Sequence, residues 1–168
     1  MKKVFSIALM AVVLFTGAAN AQKPSPATTA TGTLANGTVV TINYSAPALK
    51  GRTIGKDVEP MSGKVWRAGA NEATVFEVSK DVTINGKTLP AGKYGFFTID
   101  NGSEWTLIFN KTWKQWGAFN YKEADDQLRV NVKPTRSGSA TERLTYTVQP
   151  NGEVSLNWGT LLVSFAVK

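Results

Sequence analysis

Cysteine and histidine are both absent from this sequence, and their absence excludes more chemistry than any motif that is present. Without cysteine the chain forms no disulfide, so its fold must be held together by an apolar core. Without either residue type it cannot build the usual zinc, copper or iron sites. A Ser-His-Asp triad and a Cys-His pair are excluded for the same reason. Calcium binding is not excluded, but no Asp-rich calcium loop is visible. We therefore expect no metal and no other cofactor.

Long hydrophobic runs are also scarce, and the clearest one lies at the N-terminus. Residues 4–15 are apolar, follow Lys2 and Lys3, and precede the small-residue sequence Ala19-Asn20-Ala21. This order is typical of an export signal. The run of about a dozen residues is shorter than the roughly 20 that a membrane-spanning helix needs. We expect a signal peptide at 1–21 and export to the periplasm or outside the cell, with a retained anchor as the alternative.

The remaining chain has no strong charge bias and suits a single domain. A flexible lead-in rich in Pro, Ser and Thr is predicted at 22–30, and one domain at 31–168. The whole chain has 19 basic and 12 acidic residues, spread along its length. No basic run is interleaved with aromatic residues, so nucleic acid is not expected as a partner. A carbohydrate or another ligand of the cell envelope fits an exported protein better.

Four Asn-Gly dipeptides, at Asn36, Asn85, Asn101 and Asn151, stand between segments rich in Val, Ile, Thr and aromatic residues. Asn-Gly favours the type I′ turn, whose twist matches that of antiparallel strands. The four dipeptides therefore predict four hairpins.

Apolar and polar residues alternate with a period of two through most of the domain, which indicates half-buried strands. Residues 93–100 differ, because both faces of that segment are apolar. Such a strand is typically central in its sheet and covered on both sides, and 105–110 follows it across Asn101-Gly102 as a hairpin partner. Only 121–126 favours a short helical turn. The sequence predicts an all-β fold, a single-domain antiparallel β-sandwich of about nine short strands, with a barrel as second choice. The alternating segments are 38–44, 128–133, 144–149, 154–158 and 160–167.

Several blocks of the chain resemble the secreted bacterial domain-of-unknown-function family numbered 2911. The most specific block is WRAGANEAT, residues 66–74, and the resemblance extends over most of the chain. It implies an exported, mostly β protein, and it brings no activity, cofactor or catalytic residue. Further matching blocks are APALKGR at 46–52, DVTINGK at 81–87, LPAGKY at 89–94 and LRV at 128–130.

The WRAGANEAT block is the first candidate binding site. Its small residues 68–70 allow a ligand or another part of the backbone to approach closely. Arg67, Asn71 and Glu72 flank this stretch, and a guanidinium can bind a carboxylate or a phosphate with two hydrogen bonds. One hypothesis is a pocket floor for a polar or anionic ligand, with Arg52 joining Arg67 around one anion. The alternative is an Arg67–Glu72 ion pair that fixes an irregular connection, with Trp66 in the core.

An aromatic segment at 111–121, KTWKQWGAFNY, is the second candidate. Exposed aromatic rings beside Lys111 and Asn residues can stack on a sugar while the polar groups bind its hydroxyls. The alternative is a loop that packs over one end of the sandwich. In that interpretation Trp116 is buried beside Gly117, and Trp113 is more exposed.

Paired carboxylates are the remaining catalytic option, because glycoside hydrolysis needs only two acids at a defined separation. Glu72 and Asp126 are the pair to test. We favour a non-catalytic binding or envelope-associated module for a polar, anionic or carbohydrate ligand. A carboxylate-dependent polysaccharide hydrolase and a structural partner protein stay open as alternatives. The candidate ligand-binding residues are Arg52, Trp66, Arg67, Asn71, Glu72, Lys111, Trp113, Trp116, Asp126 and Arg129.

Overall fold

The computed structural model describes residues 25–168, which form eleven β-strands and one short 3₁₀ helix at Glu123–Asp125. The predicted signal peptide lies outside the described residues. The first strand begins at Ala27, so the last four residues of the predicted lead-in belong to the sheet. The strands are β1 Ala27–Thr33, β2 Val39–Ser45, β3 Val65–Trp66, β4 Ala70–Val78, β5 Val82–Ile84, β6 Lys87–Leu89, β7 Gly92–Asp100, β8 Trp105–Asn110, β9 Asp126–Val132, β10 Thr135–Val148 and β11 Glu153–Ala166.

The strands form one large antiparallel sheet and two hairpins. The large sheet has the order β1-β2-β4-β7-β8-β9, and β3 pairs with β7. Strands β10 and β11 pair with each other, as do β5 and β6. The predicted all-β sandwich is confirmed, and among the described residues no sheet closes into a barrel. The structure has eleven strands where about nine were expected. Strands β1 and β3 were not predicted, because their sequences show no clear apolar alternation. Strands β10 and β11 have 14 residues each and are therefore not short.

The main core lies between the large sheet and the β10–β11 hairpin. Phe76, Phe96 and Phe109 on the inner face of the sheet pack around Phe165 of β11, with ring centroids 5.8–6.2 Å from it. All four rings are at least 95% buried. This cluster buries apolar surface that stabilises a fold without disulfides.

Strand β7 is central, as its two apolar faces predict. Tyr94 and Phe96 belong to the main core, whereas Phe97 belongs to a second cluster on the opposite face with Ile108. The segment 111–125 covers this second face, and the Tyr121 ring lies 5.2 Å from that of Phe97. The sheet is therefore covered on both sides in its centre.

All four Asn-Gly dipeptides join consecutive antiparallel strands, which confirms the four hairpins. Among the four dipeptides, the two positive φ angles of the type I′ geometry occur only at Asn85 (φ 46°) and Gly86 (φ 84°). The expectation was wrong at Asn36, Asn101 and Asn151, where only the glycine has a positive φ. These connections are longer than two residues, and the Asn36 and Asn151 side chains instead accept an N–H from two residues ahead.

Strand β11 changes face in its middle. Leu156 and Trp158 point into the core before the change, and Val163 and Phe165 do so after it. The two predicted segments 154–158 and 160–167 are one strand, whose register with β10 shifts on both sides of Gly159. The extra residues of this irregularity lie on β10, and the φ of 57° at Gly159 marks where the core-facing positions of β11 change from even-numbered to odd-numbered residues. Trp158 stands just before this change, at the end of the sandwich where the pocket described below lies.

Candidate functional site

The WRAGANEAT block forms a tight connection between β3 and β4. Trp66 is buried and its indole N–H donates to the Gly69 carbonyl oxygen at 3.1 Å. A Cβ at Gly69 would lie 2.8 Å from the Thr74 Oγ1, so only glycine fits there. The small residues do permit a close approach, but the group that approaches Gly69 is the protein's own Thr74.

Ala68 is the anchor of this connection. Its φ of 53° is unusual for a residue with a side chain. Its carbonyl oxygen accepts hydrogen bonds from the Tyr146 hydroxyl at 2.7 Å and the Thr74 hydroxyl at 3.0 Å. Burial raises the pKa of the Tyr146 hydroxyl well above its ordinary value, so it stays a donor. The core hairpin therefore holds the backbone next to Arg67 in place.

Arg67 lies beside a pocket of about 430 Å³ at one end of the sandwich, which we call the Arg67 pocket. Its walls come from the connection 67–70, from the segment 47–61 and from β11. Two indole rings form part of the lining, Trp66 and Trp158, stacked with their centroids 5.9 Å apart. Arg52 lines the same pocket. The structure thus brings three of the predicted site residues, Arg52, Trp66 and Arg67, around one cavity.

Two buried donors in the residues around this pocket are unsatisfied. The Arg67 Nε–H and the Trp158 Nε1–H have no hydrogen-bond partner among residues 25–168. Trp158 is 98% buried. Burial lowers the pKa of the Arg67 guanidinium, and the negative charge of Glu59 partly opposes this. Arginine nevertheless stays protonated at neutral pH, so the pocket holds a charge that is only partly solvated. Buried donors are normally paired, so these two are exceptions. The guanidinium of Arg67 as a whole has no partner among residues 25–168, and it is the group at this pocket that can bind an anion.

The carboxylates around the pocket are used by their own loops. Asp57 accepts the Thr53 backbone N–H at 2.8 Å, and Glu59 accepts the N–H two residues ahead, at 2.8 Å. Neither forms an ion pair with Arg67 in the described part of the chain. The acids shape the segment 47–61, and the guanidinium of Arg67 keeps its capacity to bind an anion.

The proposed Arg67–Glu72 ion pair was wrong. Residue 71 has a positive φ of 59°, and the backbone turns there between the two side chains. Asn71 donates to the Ser25 carbonyl oxygen at 3.2 Å. Glu72 is exposed and lines a different groove of about 310 Å³ beside β1 and β2. Asn71 and Glu72 therefore do not join Arg67 at its pocket.

The aromatic segment 111–121 packs on the sheet, but it leaves two rings in solvent. Trp116 is 58% exposed and Phe119 is 84% exposed, so the prediction of a buried Trp116 was wrong. Trp113 is the less exposed tryptophan and lies under the Lys93 ammonium group, 5.6 Å from it. Lys111 is exposed, and its backbone N–H donates to the Asp125 carbonyl oxygen. Trp116 is exposed, and not buried as predicted, because its backbone pairs with Glu72 at the rim of the sheet.

Asp126 and Arg129 belong to a hydrogen-bonded cluster beneath this segment. Asp126 accepts from Asn110 at 2.7 Å, from the Tyr121 hydroxyl at 2.7 Å and from the Arg129 Nε at 2.6 Å. Burial and the Asp126 bond raise the pKa of Tyr121 to about 12. Burial opposes the charge of Arg129, but its bonds to Asp126 and Tyr121 raise its pKa overall. With both oxygens occupied, Asp126 is a structural acid.

A hydrolytic pair of Glu72 and Asp126 has no support in this arrangement. Glu72 is the sole carboxylate among the described residues that line its groove, and Asp126 is committed to Arg129. Glycosidase chemistry needs two carboxyl groups facing one substrate. The two acids do not meet that requirement.

Sequence reasoning missed most residues of the Arg67 pocket, among them Trp158 and Glu59. The alternation of 154–158 predicts Trp158 only as a core residue, although a glycine such as the adjacent Gly159 often marks an irregularity in a strand. Glu59 lies in an irregular segment where no periodicity applies. Neither position could be placed at the pocket without the packing of β11 against the connection 67–70.

The fold and the pocket define an all-β sandwich with a basic, tryptophan-lined cavity at one end. Residues 25–167 match the family described as a protein of unknown function, DUF2911, and the chain belongs to that family. No match was found among curated proteins or among solved structures. Within residues 25–168, no helix has the length and apolar character to cross a membrane.

Proposed function

We propose that this protein is a non-catalytic binding module that holds an anionic group of a small polar ligand in the Arg67 pocket. The observation that carries the proposal is the Arg67 guanidinium, which lines a 430 Å³ pocket and has no hydrogen-bond or ion-pair partner among residues 25–168. A guanidinium matches a carboxylate or phosphate in charge and geometry. The stacked indole rings of Trp66 and Trp158 are almost fully buried and form a rigid backing for the wall of this pocket.

Galacturonate tests the proposal, because it joins one carboxylate to a small polar ring. Isothermal titration at low salt should show binding to the purified chain and none of the neutral sugar galactose. Arg67→Gln should weaken galacturonate binding about tenfold or more, which is the usual effect of losing a hydrogen bond to a charged group. The galacturonate affinity of Arg67→Lys should lie between those of the wild type and Arg67→Gln, since lysine keeps the positive charge but cannot form two parallel hydrogen bonds to a carboxylate.

Lys114→Gln is the matched control, because it removes one exposed positive charge outside the pocket. It should leave the affinity unchanged. Thermal unfolding of each variant separates lost binding from lost folding. Equal weakening by Arg67→Gln and Lys114→Gln would mean that only the net charge matters, and the proposal would be wrong.

A second candidate function is binding of a neutral sugar at the exposed aromatic pair. The observation that favours it is the exposure of Trp116 and Phe119 on a segment fixed by backbone bonds, including Gly117 N–H to the Asn71 carbonyl oxygen at 3.0 Å. Aromatic rings held in solvent at a rigid site can stack on a sugar. A glycan array should then show binding that Trp116→Ala and Phe119→Ala abolish and Arg67→Gln does not. Binding that survives both alanine substitutions would contradict this candidate.

We propose further that the module acts after export, in the periplasm or outside the cell. The order of charged, apolar and small residues in 1–21 supports this. Fractionation of the producing cells, with mass spectrometry of the mature N-terminus, tests it. A product retained in the cytoplasm with residues 1–21 intact would contradict it.

A further inference from the structure

A second and larger pocket lies next to the first. It has a volume of about 550 Å³ and is lined by Trp105, Asp100 and the segments 134–136 and 159–161. Its guanidinium groups belong to Arg52 and Arg136, and we call it the Arg136 pocket. Arg52 lines both pockets.

The two pockets are neighbours across a common wall. Trp66, which lines the Arg67 pocket, contacts Trp105 of the Arg136 pocket edge to face, with ring centroids 6.4 Å apart. Arg52 is fixed in this wall, because its Nε and Nη2 donate to the carbonyl oxygens of Leu49 at 2.9 Å and Ala48 at 2.7 Å. The pockets thus form two lobes on either side of one held guanidinium.

In the second lobe, as in the first, the carboxylate is bound by a backbone N–H and forms no ion pair with the guanidinium among residues 25–168. Asp100 accepts the Gly102 backbone N–H at 2.8 Å and so serves its own turn. Arg136 donates one N–H to the Thr160 hydroxyl at 3.1 Å and is otherwise exposed. Each lobe therefore presents a guanidinium, and its carboxylates are engaged by backbone donors. Threonines 53, 135 and 160 also line the second lobe and provide hydroxyl groups.

From this arrangement we infer that the ligand is a linear acidic oligosaccharide that spans both lobes, with one carboxylate on Arg67 and another on Arg136. The inference rests on the proposed function, since Arg67 receives one of the two acidic groups. Guanidinium groups in two neighbouring lobes favour repeated carboxylates, and the hydroxyl-bearing side chains that line the second lobe favour a sugar. Arg52 then lies beside the link between the two units.

Titration of the purified chain with galacturonate and with its linear di-, tri- and tetramers tests this. One of the oligomers should bind at least about tenfold more tightly than the monomer, because its second carboxylate binds at a high effective concentration. Arg136→Gln should remove this advantage, so that the oligomer binds no more tightly than the monomer. Arg67→Gln should weaken both, and Lys114→Gln neither.

The outcomes separate the two proposals. If the monomer binds through Arg67 but no oligomer is preferred, the two-lobed site is wrong and the proposed function stands. An oligomer advantage that survives Arg136→Gln also overturns the two-lobed site. If neither monomer nor oligomer binds, both proposals are wrong. Neutral galactose oligomers of equal length should not bind, and equal binding of these would show that sugar contacts, not the guanidinium pair, select the ligand.

Discussion

Gly69 and Gly152 show how single positions without a Cβ shape this molecule. Gly69 lets the connection 67–71 lie against Thr74, which was predictable in part from its place between two alanines. Gly152 combines a φ of 87° with a position where a Cβ would overlap the Val167 carbonyl oxygen. The Val167 N–H also donates to the Gly152 carbonyl oxygen at 2.8 Å. The Asn-Gly sequence predicts the positive φ, but not this contact with the last strand.

Gly152→Ala should lower the free energy of unfolding by at least about 2 kcal/mol. The left-handed conformation alone costs an alanine about 1–2 kcal/mol, and the overlap adds to it. Gly138→Ala in β10 is the control, because a Cβ there meets open space and φ is not positive. It should be neutral or slightly stabilising. Urea unfolding measures both, and a Gly152→Ala variant as stable as the control would contradict the contact.

A polar cluster around Asp126 helps to hold the segment 111–125 to the sheet, beside its backbone bonds to β4. Asp126, whose side chain is 8% exposed, joins β9 to β8 through Asn110 and to the segment through Tyr121. Sequence alone suggested Asp126 as a catalytic acid, because the sequence does not show which side chains bind a carboxylate in the folded protein. Its partners lie on three different elements, so only their assembly shows that the acid is structural.

Asp126→Ala should destabilise the protein by about 3 kcal/mol, since it leaves Arg129 and Asn110 partly buried without their acceptor. It should also loosen the segment, and limited proteolysis should then cut within 111–125. Glu123→Ala removes the other acidic partner of Arg129, which is 75% exposed. Its effect should stay within about 1 kcal/mol, as for other surface pairs. Equal effects of the two variants would show that the cluster does not anchor the segment.

Across the whole molecule, no histidine is present to titrate near neutral pH. A main pH-dependent change in the free energy of unfolding therefore comes from tyrosines that titrate at alkaline pH. The pKa of Tyr121 is raised to about 12 and that of Tyr146 is raised as well. The unfolded chain releases these protons near pH 10, before the folded chain does. The folded state therefore binds more protons in this range, and stability falls as the pH rises.

The free energy of unfolding should decrease from pH 10 towards pH 12. Tyr121→Phe should give a shallower decrease over this range, even though the loss of its hydrogen bonds makes it less stable at pH 8. Tyr146→Phe should behave in the same direction. Urea unfolding at several pH values measures the slopes. Parallel pH profiles for the wild type and Tyr121→Phe would show that this hydroxyl does not carry the effect.

The sequence by itself determined the all-β class, the four hairpins, the central place of β7 and the family, because period-two alternation and Asn-Gly turns are local signals. The tertiary structure alone decided that Arg52 and Arg67 share a pocket, that Glu72 lies elsewhere, that Trp116 is exposed and that Asp126 is committed to Arg129. Apart from the Asp126–Arg129 pair, which is local to β9, these facts depend on contacts between residues far apart in the chain. Such contacts arise only when the β10–β11 hairpin and the segment 111–125 pack on opposite faces of one sheet.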